Sequence, residues 1–434
     1  MKFVSTRGGA PAVDFSAAVA AGLAPDGGLY VPATLPQFDA AYFRGDCTLD
    51  AIGAQLLAPF LDGDPLAAAL ADICIEAFDF PAPLVCLEAD QSWVLELFHG
   101  PTAAFKDVGA QFLSACIRRL RADIARPLTV LVATSGDTGA AVAAAFCGAP
   151  GIQVVILHPQ GRVSARQQHQ LGCFGPNITS LAVAGWFDDC QALVKQALGD
   201  EALQSRMELT SANSISLGRL LPQMVYYAQA SLAYYRQHRQ PLNFIIPTGN
   251  LGNAMAAALA RGIGLPIGRL ALASNANAVL AEYFSGGAYR PRPSIVTLAN
   301  AMDVGAPSNF ERLRWLYPDE NQLRAAFAVG AVHDEQIRAA IRTAHARYGI
   351  AFCPHTATAL HLLHEFREQG DRRPWAVVAT AHPAKFERIV EALVRTPVVV
   401  PSALAELLAR PASSEALAVD YPSLKARLLR LACA

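Results

Sequence analysis

Glu96-Leu97-Phe98-His99-Gly100-Pro101-Thr102-Ala103-Ala104-Phe105-Lys106-Asp107 sets one lysine among apolar neighbours where a strand gives way to a helix. Trp93 to Phe98 reads as a short strand, and Gly100-Pro101 breaks it with residues suited to a turn or a helix start. From Ala103 to about Arg121, Phe105, Val108, Phe112, Leu113, Cys116, Ile117 and Leu120 recur near the helical period, so one face packs inward. Lys106 therefore falls in the first helical turn. A cation there opposes the helix dipole, and apolar surroundings add a desolvation cost; both favour the neutral amine. Such an amine is a nucleophile able to form a Schiff base with a carbonyl and then to move protons. A lone lysine at a helix start is ordinarily a solvated one, so the rest of the chain has to carry the argument.

The chain has 434 residues, 53% of them hydrophobic and 16% charged, with a formal charge of −1. That length implies two or three domains with extensive cores. No basic or acidic run points to nucleic acid or an anionic membrane, and a small molecule is the expected partner. Apolar runs are broken by Gly, Pro or charge too early for a membrane-spanning helix, and Met1 to Arg7 lacks a signal-peptide core. Nine scattered cysteines, without a Cys-x-x-Cys pair, suit reduced thiols and a cytoplasmic location.

Residues 1–90 carry Gly/Pro breaks and two helical patterns, Phe15 to Leu23 and Leu49 to Leu61, which predict a small, mainly helical N-terminal domain. Residues 91–434 read as the second region. There, apolar runs at 128–133, 152–157, 178–183, 244–246, 270–273 and 375–379 alternate with helical periods. This is the pattern of parallel sheets covered on both faces, an α/β architecture whose ligands bind at the carboxyl ends of strands. Residues 286–320, rich in Gly, Pro and Arg, read as a connection or an active-site loop.

Four segments could carry chemistry. Thr134-Ser-Gly-Asp-Thr-Gly139 follows one strand and opens an Ala-rich helix, offering hydroxyls and helix-start amides to an anion. Pro247-Thr-Gly-Asn-Leu-Gly-Asn253 follows another and makes a phosphate cradle without a basic side chain; it matches neither nucleotide fingerprint. Ser211-Ala-Asn-Ser-Ile-Ser-Leu-Gly-Arg219 gathers hydroxyls, an amide and one arginine, a set suited to a second anion. Thr380-Ala-His-Pro-Ala-Lys-Phe386 ends the last strand, where a hydroxyl can meet a ring nitrogen; His382 reads equally as structural. Each alone is also an ordinary capped helix start. No histidine pattern predicts a metal site, and there is no Gly-x-Ser-x-Gly elbow.

Together, a Schiff-base lysine, a phosphate cradle and a strand-end hydroxyl are what pyridoxal phosphate requires of a protein. Residues 98–107, Ala133 to Gly139, Ser211 to Ser214, Gly249 to Gly252, Asn300-Ala-Met-Asp303 and Thr380 to Phe386, with Ser5 to Gly8 and Asp26 to Tyr30, resemble the motifs of the threonine synthase family over almost the whole chain. The resemblance implies the type II fold of pyridoxal-phosphate enzymes, with two parallel-type α/β lobes, and conversion of O-phospho-L-homoserine and water to L-threonine and phosphate by a monomer or homodimer. It implies Lys106 as the cofactor lysine and acid/base, Gly249, Asn250, Leu251, Gly252 and Asn253 around the cofactor phosphate, and Thr380 facing the pyridine nitrogen. Ser135, Thr138, Asn213, Ser214 and Arg219 would hold the substrate's carboxylate and phosphate. Thr248 and Leu251 stand where many relatives have Ser and Phe. Asp137 replaces the Asn common in related dehydratases. A threonine or serine dehydratase of the same fold, and a non-catalytic binder of phosphorylated ligands, are the rival readings.

Overall fold

The computed structural model describes residues 1–432 except 44, 46, 47, 89, 90, 123 and 125. Cys47 and Cys433 lie outside the described residues, and Cys74, Cys116, Cys147, Cys173, Cys190 and Cys353 are free thiols. In the N-terminal unit, β1 (Phe3–Ser5) and β2 (Tyr30–Pro32) pair antiparallel. The two expected helices run Phe15–Ala21 and Leu49–Leu57, the second prolonged by a 3₁₀ turn to Leu61.

The remaining strands are β3 (Leu84–Glu88), β4 (Ser92–Glu96), β5 (Leu128–Ala133), β6 (Ile152–Pro159), β7 (Ile178–Val183), β8 (Glu208–Ser211), β9 (Leu242–Pro247), β10 (Ile267–Ser274), β11 (Phe327–Ala331), β12 (Trp375–Ala379) and β13 (Glu415–Leu417). One sheet has the order β11-β10-β9-β12-β4-β3 and the other β13-β7-β6-β5-β8. All neighbours run parallel except β3 and β4. β5, β9 and β12 are buried at every position, as sheets covered on both faces require. β3 joins the large sheet before the expected boundary at residue 90, because the Pro81-Ala-Pro83 break comes just ahead of it and an antiparallel hairpin with β4 follows. One apolar core runs from Phe15, Leu56 and Phe60 through Phe112 and Leu113 to Val130 and Phe244, so it joins the N-terminal unit to both lobes.

The helix after the opening stretch begins at Lys106 and ends at Leu120, not at Ala103 as the periodicity suggested. Ala103 has φ of 56°, and the segment around it bonds to the end of β12: Phe105 N donates to Thr380 O at 2.8 Å and His382 N to Ala103 O at 3.0 Å. Pairing with the sheet wins over helix propensity here. Residues 286–299 are irregular, whereas Asn300–Met302 and Phe310–Leu316 are helical; the expected loop is thus only partly a loop.

A close crossing ties this helix to the 211–219 loop. A Cβ on Gly109 would lie 2.7 Å from the carbonyl oxygen of Arg219, and one on Gly218 would lie 2.9 Å from Leu113. Helix interiors prefer alanine to glycine by roughly 0.5–1 kcal/mol, and backbone contact outweighs that preference. Gly109→Ala should destabilise the protein by about 1–3 kcal/mol and push Arg219 out of place. Urea unfolding together with steady-state kinetics would check this; a stabilised variant with normal kinetics would refute it.

Candidate active site

The carboxyl ends of β5, β8, β9 and β12 converge on one cavity of about 600 Å³ between the lobes. Lys106, Ser135, Thr138, Asn213, Ser214, Arg219, Gly249, Asn250, Leu251, Gly252, Asn253 and Thr380 all line it. The opening stretch shows why it folds as it does. Asp107, fully buried, accepts from Thr102 N at 2.9 Å and Thr102 Oγ1 at 2.6 Å, closing the turn onto the helix start. A Cβ on Gly100 would lie 2.6 Å from that carboxylate. Lys106 is thereby fixed as the first helical residue.

The lysine environment matches its expected chemistry. Burial pushes Lys106 down to about 8 from the ordinary 10.5; Asp137 acts in the opposite sense, while Arg219 and Lys385 reinforce the fall. At pH 7 an amine of that pKa is about 10% unprotonated, against roughly 0.03% for an ordinary lysine. Asp137 Oδ2 is 3.9 Å from Lys106 Nζ, whereas Asp137 Oδ1 is 2.8 Å from the Nζ of Lys385. Burial works against ionisation of Asp137, but the two lysines, Lys385 first, hold its carboxyl well below the usual range.

The 247–253 loop fits an anionic phosphate. Leu251 has φ of 64° and caps the Gly252–Gly262 helix, whose first amides have no partner within the helix. A left-handed non-glycine residue costs about 1–3 kcal/mol, so the surroundings must impose this shape. The Leu251 side chain, buried in the main core, supplies part of that constraint. A Cβ on Gly252 would meet nothing nearer than 3.7 Å, so protein packing does not demand the glycine and the space above it stays open. Asn253 Oδ1 accepts from the Tyr226 and Tyr227 hydroxyls at 2.6 and 2.7 Å, while its buried Nδ2 has no partner among the described residues. That Nδ2 is a donor left for a ligand. Asn250 contributes only its amide, since its Nδ2 donates to Ser214 Oγ at 2.7 Å and its Oδ1 accepts from Ser308 N at 2.6 Å.

In the 134–139 loop, Thr134 Oγ1 accepts from the amides of Gly136 and Gly139, both at 2.9 Å. It caps the helix and leaves the Ser135 and Thr138 hydroxyls on the cavity wall. Asn213 Oδ1 accepts from Ala133 N at 3.2 Å, which turns its amide group into a donor. Arg219 is 1% exposed; its Nη1 donates to Ala212 O at 2.8 Å and its Nε has no partner among the described residues. Burial pushes it down to about 10, so it stays charged at neutral pH. His382 caps the following turn through Nδ1, which accepts from Ala384 N at 3.2 Å, a structural role.

Sequence reasoning missed four contributors. His355 reaches the cavity from the start of the Pro354–Glu368 helix and follows no strand that could have flagged it. Lys385 lay inside a quoted motif, but nothing in the pattern shows that it is fully buried. Arg7 and Glu311 bring the N-terminal unit to the cavity rim, with Arg7 Nε 3.2 Å from Glu311 Oε1.

Residues 79–384 match the family of pyridoxal-phosphate dependent enzymes, the class that this fold and cavity define. Residues 2–78 match the threonine synthase N terminus and 356–427 the threonine synthase C-terminal region. The chain belongs to the threonine synthase family. It is 38% identical to threonine synthase of Escherichia coli over 98% of each chain, and 37% identical to that of Serratia marcescens over 99% of this chain and all of the relative. The crystal structure of the Escherichia coli enzyme superposes with a TM-score of 0.91 at 37% identity, covering 99% of this chain and 100% of that one. A pyridoxal-phosphate-bound threonine synthase from Brucella melitensis gives 0.90 at 35% identity, with both chains covered in full.

Borohydride reduction of the protein loaded with pyridoxal phosphate, followed by peptide mapping, should label Lys106. Uptake by the apoenzyme should rise with pH to a midpoint near 8. A label on Lys195, which also lines the cavity, or on Lys385, would refute the assignment.

Proposed function

We propose that this protein converts O-phospho-L-homoserine and water into L-threonine and phosphate, with pyridoxal phosphate as its cofactor. The observation that carries the reading is the union in one cavity of a lysine biased towards its free amine, a helix-start cradle with an unpartnered buried donor, and a separate buried arginine. Asn253 Nδ2 and the amides of 249–253 would hold the cofactor phosphate, and the Thr380 hydroxyl would face the ring nitrogen. Bound there, pyridoxal phosphate supplies an aldehyde for the lysine and an electron-accepting ring.

Lys106 Nζ would hold the cofactor and, as a free amine, would serve as the general base for the proton on the substrate Cα. The same nitrogen moves further protons as phosphate leaves Cγ and water adds at Cβ. Ser135, Thr138, Asn213, Ser214 and Arg219 bind the carboxylate and phosphate, and the charged Arg219 stabilises the departing phosphate. The rim formed by Arg7 and Glu311 helps to exclude bulk water. The free thiols among the described cysteines suit a reducing compartment, and we assign the protein to the cytoplasm.

The cradle already serves one phosphate, so Arg219→Ala should keep full cofactor content while losing about 2–5 kcal/mol of transition-state stabilisation. Absorbance and kcat/KM measure the two effects; loss of cofactor with unchanged substrate affinity would contradict it.

A site built to pair with a phosphate rejects analogues that lack one by roughly 10⁴-fold. Phosphate release and threonine formation should therefore be seen with O-phosphohomoserine and not with homoserine. Comparable turnover of homoserine, or 2-oxobutyrate formed from threonine as the main activity, would replace this reading with a dehydratase.

A further inference from the structure

Two lysines and one carboxylate meet beside the cavity. Lys385, on the 3₁₀ turn Pro383–Phe386, is fully buried. Its Nζ lies 2.8 Å from Asp137 Oδ1 and donates to Thr102 O at 2.8 Å. Asp137 Oδ1 also accepts from Gln167 Nε2 at 3.0 Å. Lys106 Nζ, at 3.9 Å from Asp137 Oδ2, is beyond hydrogen-bond length. The carboxylate is thus bonded on the side away from Lys106.

The other groups facing this cluster do not take over that role. Arg219 adds positive charge near Lys106. Asp107 is engaged by Thr102. His355 accepts from Ala301 N through Nε2 at 3.0 Å, and burial pushes it down to about 4, so it is neutral when the enzyme works. Without Lys385, the cation nearest Asp137 would be Lys106. A buried ammonium paired with a carboxylate keeps its proton, the opposite of what a nucleophilic amine needs.

We propose that Lys385 is a positioning residue: by pairing with Asp137 it compensates the carboxylate beside Lys106 and leaves the Lys106 amine without a close anionic partner. This accounts for an aspartate at a position where an asparagine would need no counter-charge. The inference rests on Lys106 being the cofactor lysine.

The test uses full-length apoenzyme and pyridoxal phosphate between about pH 6 and 10, with uptake trapped by borohydride. In this capture the lysine nitrogen replaces the aldehyde oxygen, which leaves as water. Lys385→Met should raise the pH midpoint of uptake by about one unit, slowing it about tenfold at pH 7. Combining it with Asp137→Asn should restore the wild-type midpoint, a rescue that a purely structural role for Lys385 would not give. An insoluble single variant beside a soluble double variant with the wild-type midpoint also supports the pairing. A wild-type midpoint in Lys385→Met, a double variant as slow as the single one, or failure of both to fold would overturn it. Peptide mapping of the wild-type product separates the two ideas: a label away from Lys106 removes the site reading itself, while a label on Lys106 with an unmoved midpoint removes only the role of Lys385.

Discussion

Leu97 N donates to Ala379 O, Phe105 N to Thr380 O and His382 N to Ala103 O, at 2.8–3.0 Å. With these bonds the stretch after β4 stays beside β12 for as long as it takes to reach the next helix. Buried backbone groups must be paired, and here the need for partners decides where the helix starts. Had the helix begun at Ala103, Phe105 N would have been one of its first-turn amides, which have no acceptor within the helix, and Lys106 would have turned elsewhere on its surface. The lysine and Thr380, far apart in sequence, share a cavity because the backbone between them is tied together.

Around that tie the protein concentrates polar groups in a poorly solvated space. Arg219, Lys385, Asp107 and Asp137 are all nearly or fully buried. Isolated buried charges are costly, and each of these has at least one bonded partner. Arg219 Nε and Asn253 Nδ2 have no partner among the described residues, and both residues line the cavity.

Much of this architecture was legible in the chain. β5 and β12 fall on the expected residues because a strand buried on both faces is a largely apolar run; β7 does so as well, although its first two residues are only half-buried. The loops that follow strands were readable because Gly, Ser, Thr and Asn at a helix start have a chemical meaning. What stayed hidden depended on distant partners. β8 and β13 are short, partly polar strands whose existence follows from neighbours in the sheet. β11, Phe-Ala-Val-Gly-Ala, carries no alternation that marks it as a strand. His355 enters from a helix with no strand before it, and the Lys385–Asp137 contact joins positions that no local pattern connects. Asn250 was expected around the cofactor phosphate, and no local pattern shows that its side chain bonds to Ser214 and Ser308.

Those bonds have an evolutionary side. Asn250 binds the cradle to the substrate loop through Ser214, and Asn309 Nδ2 donates to Asn250 O at 2.9 Å. Asn309 in turn accepts from Arg312, which also donates to Tyr30 O and Ile215 O. Residues in one network change energy non-additively. A substitution at Ser214 would therefore be felt at the 249–253 loop through Asn250, and again at the N-terminal unit through Asn309 and Arg312. Substitutions in this part of the molecule are therefore coupled, and a change at one position alters what its partners tolerate.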